Sequence, residues 1–158
     1  MAPARLRAVI VLERISWIKR MLIGIRGLPL DSLEDFTADP RTPASAESYL
    51  RRCLEALLDL GRHILAKGFG RAVSEYRAIA HELQEVGVLS PAEAALLREM
   101  ASYRNRLVHF YHEVSAGELY EICTQGLSDI ERITRVLEQW VRDHPELVDN
   151  LPLATNDK

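Results

Sequence analysis

Three observations predict an all-α fold, an antiparallel bundle of four to five helices. Apolar residues recur at three- and four-residue steps over most of the chain. No segment alternates polar and apolar side chains at the two-residue period of a strand. Glycines, prolines and two Ser-x-x-Glu capping boxes divide the periodic stretches into helix-sized pieces.

The first helix is expected over residues 5 to 26, where Leu6, Val9, Ile10, Ile15, Ile18, Leu22 and Ile25 follow the helical period and Gly27 and Pro29 close it. Asp31 to Phe36 makes at most a short helical turn, and the chain through Pro40 and Pro43 reads as a loop. A second helix is expected from about Ala44 to Lys67, ended by Gly68 and Gly70, and a third from about Arg71 to Val86, ended by Gly87. Ser90-Pro91-Ala92-Glu93 is a capping box with proline at the first helical position, and it opens a fourth helix that should reach about Tyr111. Ser115-Ala116-Gly117-Glu118 repeats the signal and opens a last helix ending near Asp143, before His144-Pro145. Residues 1–145 are thus expected to form one domain and residues 146–158 a loose C-terminal tail.

Bulk properties fit a single globular domain. The 158 residues are 47% hydrophobic and 27% charged, enough to bury a core without disulfides or metal. Cys53 and Cys123 stand alone and far apart, which suggests neither a disulfide framework nor a thiolate zinc site and points to a reducing, cytoplasmic setting. The longest apolar run near the N-terminus, Ala8 to Leu12, is too short to span a bilayer, so no membrane segment is expected. A formal net charge of −3 gives no global attraction to a phosphate backbone; binding nucleic acid requires a local basic patch or a second subunit.

Chemistry concentrates at the end of the fourth helix, in Arg104-Asn105-Arg106-Leu107-Val108-His109-Phe110-Tyr111. At about 100° per residue, Met100, Tyr103, Leu107 and Phe110 form an apolar side for the core, while Arg104, Asn105, His109, Tyr111 and His112 spread over the other arc. By residue type alone such a face is usually solvated surface, with His109 and His112 favourable near the C-terminal end of the helix dipole. The string resembles the R-x4-H-x-Y motif, with Asn after the Arg, of HepT-like proteins in the HEPN superfamily. The similarity spans roughly residues 6 to 142 and includes the Leu33-Glu34-Asp35-Phe36 loop, Gly61-Arg62-His63-Ile64, and Leu83-Gln84-Glu85-Val86-Gly87-Val88-Leu89 in the same order.

That resemblance implies a HEPN-like bundle and a metal-independent endoribonuclease toxin. It further implies an active site formed where two motifs face each other across a homodimer cleft. Arg104 and His109 would be catalytic, with Asn105 and His112 in support. Tyr111 would be the residue to which a minimal nucleotidyltransferase antitoxin adds AMP. The residue types suit RNA cleavage, since His exchanges protons near neutral pH, Arg presents fixed donors to crowded phosphate oxygens, and RNA carries its own nucleophile in the 2′-hydroxyl. Arg104 and His109 lie about 140° apart on an ideal helix, so one helix would not aim both at one atom. No cofactor is expected. The competing reading is a non-catalytic helical partner or nucleotide-binding subunit of a nucleotidyltransferase, which the acidic net charge favours.

Other signals carry less. His109-x-x-His112-Glu113 has metal-ligand spacing but no recognisable third ligand. Gly24-Ile25-Arg26-Gly27 and Gly68-Phe69-Gly70 read as helix stops rather than phosphate loops. Trp17 and Trp140 read as core or dimer-interface anchors, and His63 and His81 as structural.

Overall fold

The computed structural model describes residues 4–149. Seven α-helices follow one another: α1 (Ala8–Arg26), α2 (Leu33–Thr37), α3 (Arg41–Phe69), α4 (Tyr76–Glu85), α5 (Pro91–His109), α6 (Ala116–Glu121) and α7 (Leu127–Asp143). A π-helical turn over Ile122–Gly126 joins α6 to α7, so the last helix expected from the sequence is one rod with a wide turn near its start. Among the described residues the only β-type pairing is a bridge between Leu6 and Val148.

The 29-residue α3 is the spine, because a broad apolar side of the helix is buried along its length: Leu50, Leu54, Leu57, Leu58, Leu60, Ile64 and Leu65 are all buried. Helix α1 lies antiparallel along it, since Gly24 meets Tyr49, the Ile18 carbonyl accepts from the Cys53 thiol, and the Arg7 N–H donates to His63. The hairpin of α4 and α5 and the α6–α7 rod pack against its other sides and close one contiguous core.

Several boundaries differ from those expected, each for a local reason. Helix α3 starts at Arg41, three residues early, because Pro43 falls in its first turn, where the missing N–H would have had no intrahelical partner. It runs through Gly68 to Phe69, and Gly70, at φ +64°, supplies the left-handed stop. Residues 71–75 are not helical: they turn back along α3, with the Arg71 N–H donating to the Leu65 carbonyl and Arg62 to that of Ser74, and α4 begins only at Tyr76. The Ser90/Glu93 capping box forms on both sides. The second box forms only in half, for Ser115 accepts from the Glu118 N–H while the Glu118 carboxylate is taken by Arg106.

The chain after Asp143 is not loose over its described part. Pro145–Leu147 makes a 3₁₀ turn, and Leu6 exchanges backbone hydrogen bonds with Leu147 and Asp149 at 2.8 Å each. Trp140 stacks on His144 and packs against Phe69, holding this strap on the end of α3. Residues 150–158 of the expected tail lie outside the described residues. Trp17 is half-buried against the core, Cys53 and Cys123 are buried free thiols raised by burial to about 12 and about 11, and no described helix is long and apolar enough to cross a membrane.

Candidate functional site

The motif helix is anchored from its apolar side. Leu97, Met100, Ala101 and Leu107 of α5 are buried, which leaves Arg104, Asn105 and His109 on the outer side. These three border one open groove of about 580 Å³, whose other walls are Arg62 of α3, residues 74–77 at the start of α4, and Phe110. The sequence placed Arg104 and His109 on diverging faces of an ideal helix; in the fold the groove runs along the end of α5 broadly enough for both to edge it.

Arg104 is the most constrained group. Its side chain is only 20% exposed, and its Nε donates to Glu55 Oε1 at 3.3 Å. Nη1 donates to Asn105 Oδ1 at 3.1 Å, and the guanidinium carbon sits 4.6 Å from the centre of the Tyr76 ring. Glu55 is shared with Arg51 at 3.2 Å. Tyr76 also lies 5.0 Å from the Arg62 guanidinium carbon, and its hydroxyl donates to Asp59 at 2.8 Å, the carboxylate that Arg62 also binds at 2.5 Å. Burial, reinforced by the Asp59 hydrogen bond and charge, pushes the Tyr76 phenol up to about 12, so it remains a donor throughout the working pH range.

His109 is exposed at the last turn of α5 and makes no side-chain hydrogen bond or ion pair among the described residues. The helix stops there rather than at Tyr111. Phe110 leaves helical geometry at φ −133°, and Tyr111–Glu113 form a separate 3₁₀ turn. Arg106 fixes this break: it points away from the groove and grips Glu118 with two hydrogen bonds of 2.5 and 3.1 Å, tying the end of α5 to α6. Phe110 is consequently 50% and Tyr111 62% exposed, and the Tyr111 ring meets His112 edge-on.

The structure therefore gathers Arg104, Asn105 and His109 and sets Tyr111 and His112 on the adjoining turn, outside the lining of the groove. Among the described residues no three His, Cys, Asp or Glu side chains form a metal-binding group. His81 is on the surface of α4, 3.5 Å from Glu85, and His63 is half-buried on another side of α3, accepting from the Arg7 N–H. Sequence reasoning missed Tyr76, Arg62, Glu55 and Asp59. The available signal was the charged row Arg51, Glu55, Asp59, Arg62 at helical spacing along one side of an amphipathic helix.

The profile of the family described as Ribonuclease HepT-like matches residues 11–137. The tRNA nuclease HepT of Aphanizomenon flos-aquae (strain 2012/KM1/D3) is 25% identical over 134 residues, covering 84% of this chain and 90% of that protein. Among solved structures, the tri-AMPylated Shewanella oneidensis HEPN toxin in complex with MNT antitoxin superposes with a TM-score of 0.74 at 25% identity, covering 82% of this chain and 97% of that one. The cytosolic protein of unknown function YutE from Bacillus subtilis shares the fold, with a TM-score of 0.69 at 19% identity over 87% of this chain and 90% of its own. With the match spanning most of the bundle, motif included, the chain belongs to the HepT-like ribonuclease family.

Proposed function

We propose that this chain is an RNA-cleaving toxin of a type II toxin–antitoxin pair, working in the cytoplasm as a homodimer without metal. Its antitoxin would be a minimal nucleotidyltransferase that silences it by adding AMP to Tyr111. The observation that carries this reading is the convergence of Arg104, Asn105 and His109 on one groove in a chain of the HepT-like ribonuclease family. The tRNA nuclease among its relatives makes tRNA the first substrate to try.

In the proposed reaction the 2′-hydroxyl of RNA attacks the adjacent phosphorus and its proton passes to His109. The 5′-oxygen of the next nucleotide leaves and takes a proton from solvent, to which His109 returns the one it accepted, giving a 2′,3′-cyclic phosphate and a 5′-hydroxyl end. Arg104, held beside the groove with a hydrogen-bonded Asn105, donates to the phosphate oxygens as charge builds on them. For silencing, the Tyr111 phenol oxygen attacks the α-phosphate of ATP, pyrophosphate leaves and the phenolic proton is lost to solvent. The exposure of Tyr111 makes its oxygen reachable, and the anionic adduct beside the groove repels an incoming phosphate backbone.

Incubating the purified protein with total tRNA in EDTA tests the reading. The wild type is expected to produce fragments ending in cyclic phosphate, and His109→Ala is expected to produce none while melting at nearly the same temperature. Cleavage that stops in EDTA and returns with a divalent metal would remove the metal-free mechanism, and a fully active His109→Ala would remove His109 from it.

A further inference from the structure

Resting on the ribonuclease reading above, we infer that Tyr76 is a positioning residue that sets the direction of the Arg104 guanidinium, which makes the first turn of α4 part of the RNA-cleaving machinery. An arginine beside a carboxylate tends to close a two-pronged fork on it, which occupies its donors and cancels its charge. Arg104 does not do so here. Glu55 takes only Nε at 3.3 Å and shares the same oxygen with Arg51, while the guanidinium carbon lies over the Tyr76 ring, 4.6 Å from its centre. An aromatic face holds a guanidinium without neutralising it and without using its N–H donors, which lie in the guanidinium plane. Nη1 reaches Asn105 and Nη2 has no hydrogen bond among the described residues, so donor capacity remains for a phosphate oxygen.

The ring can serve as a fixed stop because it is itself held. Its hydroxyl donates to Asp59 at 2.8 Å, and the Arg62 guanidinium lies 5.0 Å from its centre while binding the same carboxylate. Helix α4, which begins at Tyr76, is seated close against α3 because Gly61 has no side chain. A Cβ there would stand 3.0 Å from the side-chain ends of Ile79 and Leu83, so this glycine lets α4 sit close without displacing them.

Tyr76→Leu and Tyr76→Phe, each alone and combined with Arg104→Ala, test the inference. On total tRNA, Tyr76→Leu is expected to lower kcat about tenfold or more with a smaller change in KM, and Tyr76→Phe to recover part of that loss, because it keeps the ring against Arg62 and Arg104 but loses the Asp59 hydrogen bond. Binding of a 2′-O-methyl RNA oligonucleotide, which cannot be cleaved, is expected to weaken on Tyr76→Leu in the wild-type background and to be insensitive to it in Arg104→Ala. Equal losses in both backgrounds, or no rescue by phenylalanine, would reduce Tyr76 to a general packing role and overturn the inference. The Arg104 Nε–H resonance, assigned by its loss in Arg104→Lys, is expected upfield from the shielding ring in the wild-type protein. A random-coil position refutes positioning whether or not Tyr76→Leu folds. A wild type that cleaves no RNA yet shows the shifted resonance would instead fail the ribonuclease reading and retain the contact.

Discussion

Arg104→Ala separates chemistry from stability, because the structure allows the two costs to be worked out independently. The side chain is 20% exposed and makes one ion-pair contact with Glu55 at 3.3 Å, one cation–π contact with the Tyr76 ring, and one hydrogen bond to the neighbouring Asn105 at 3.1 Å, the last worth about 0.5–1.5 kcal/mol. A partly exposed pair of this kind contributes at most about 1 kcal/mol, and the guanidinium–ring contact about 0.5–1 kcal/mol. Removing Arg104 does not strand a buried carboxylate, since Arg51 still holds Glu55 at 3.2 Å. The total is about 1–3.5 kcal/mol, or a drop of roughly 2–14 °C in Tm for a domain of this size, against the roughly 5–15 kcal/mol that typically separates folded from unfolded protein. The variant is therefore expected to be almost wholly folded at 25 °C. Loss of one donor aimed at developing charge costs about 10²- to 10³-fold in rate, far more than a minor unfolded fraction produces. Single-turnover cleavage of tRNA beside thermal melts by circular dichroism measures both quantities on one preparation. Arg104→Lys, which keeps the charge and loses the planar fork, is expected to fall between the two. Activity within threefold of wild type would refute the assignment of Arg104 to the reaction. A Tm lowered by more than about 15 °C would refute the accounting of its contacts.

Four further outcomes are expected. Tyr111→Phe retains at least part of the cleavage activity and escapes silencing by the partner nucleotidyltransferase with ATP, whereas the wild type gains AMP mass on the peptide containing Tyr111; silencing of the phenylalanine variant would show that the antitoxin acts by binding. Sedimentation at micromolar concentration is expected to give a dimer, and an active monomer would reject the two-motif cleft. Leu107→Ala, on the core side of α5 and only 3% exposed, is expected to cost about 2–5 kcal/mol of unfolding free energy in urea, with the activity of the folded fraction largely kept; a loss of activity without a loss of stability would contradict its place in the core. Burial holds His63 below its ordinary value, helped by Lys67, Arg14 and Arg7 and opposed by Asp149, so the unfolded chain binds the proton more readily. His63 thus contributes stability that is complete above the unfolded value near 6.5 and is lost as the pH falls through the lower folded value. Stability is expected to decline from pH 7 toward 5 more steeply in wild type than in His63→Gln, and parallel curves would reject the linkage.

The helices were legible because their signals are local. Periodic leucines along α3, the Ser90-Pro91-Ala92-Glu93 box and the positive-φ stops Gly70 and Gly87 each act within a turn or two of where they stand in the sequence. The errors arose where a local signal had two outcomes. Pro43 breaks a helix interior but is harmless in a first turn, and Glu118 satisfies a capping box unless a stronger partner reaches it, as Arg106 does from twelve residues away.

At the site the division is the same. The motif is contiguous, so Arg104, Asn105, His109 and Tyr111 could be named from residue type and family likeness. The groups that decide what Arg104 can do come from elsewhere: Glu55 is forty-nine positions earlier and Tyr76 opens a helix whose start the sequence placed five residues too soon. With α4 extended back to Arg71, Tyr76 would sit inside a helix rather than at its N-terminal end, and nothing in its one-dimensional context sets it apart from a core aromatic. Its contact with Arg104 rests on the close seating of α4 on α3 at Gly61 and on residues 71–75, which turn the chain back along α3. As an isolated ideal helix, α5 points Arg104 and His109 in diverging directions. The groove that both residues border is made by the elements around α5, and its walls are set by tertiary packing that no periodicity within the motif encodes.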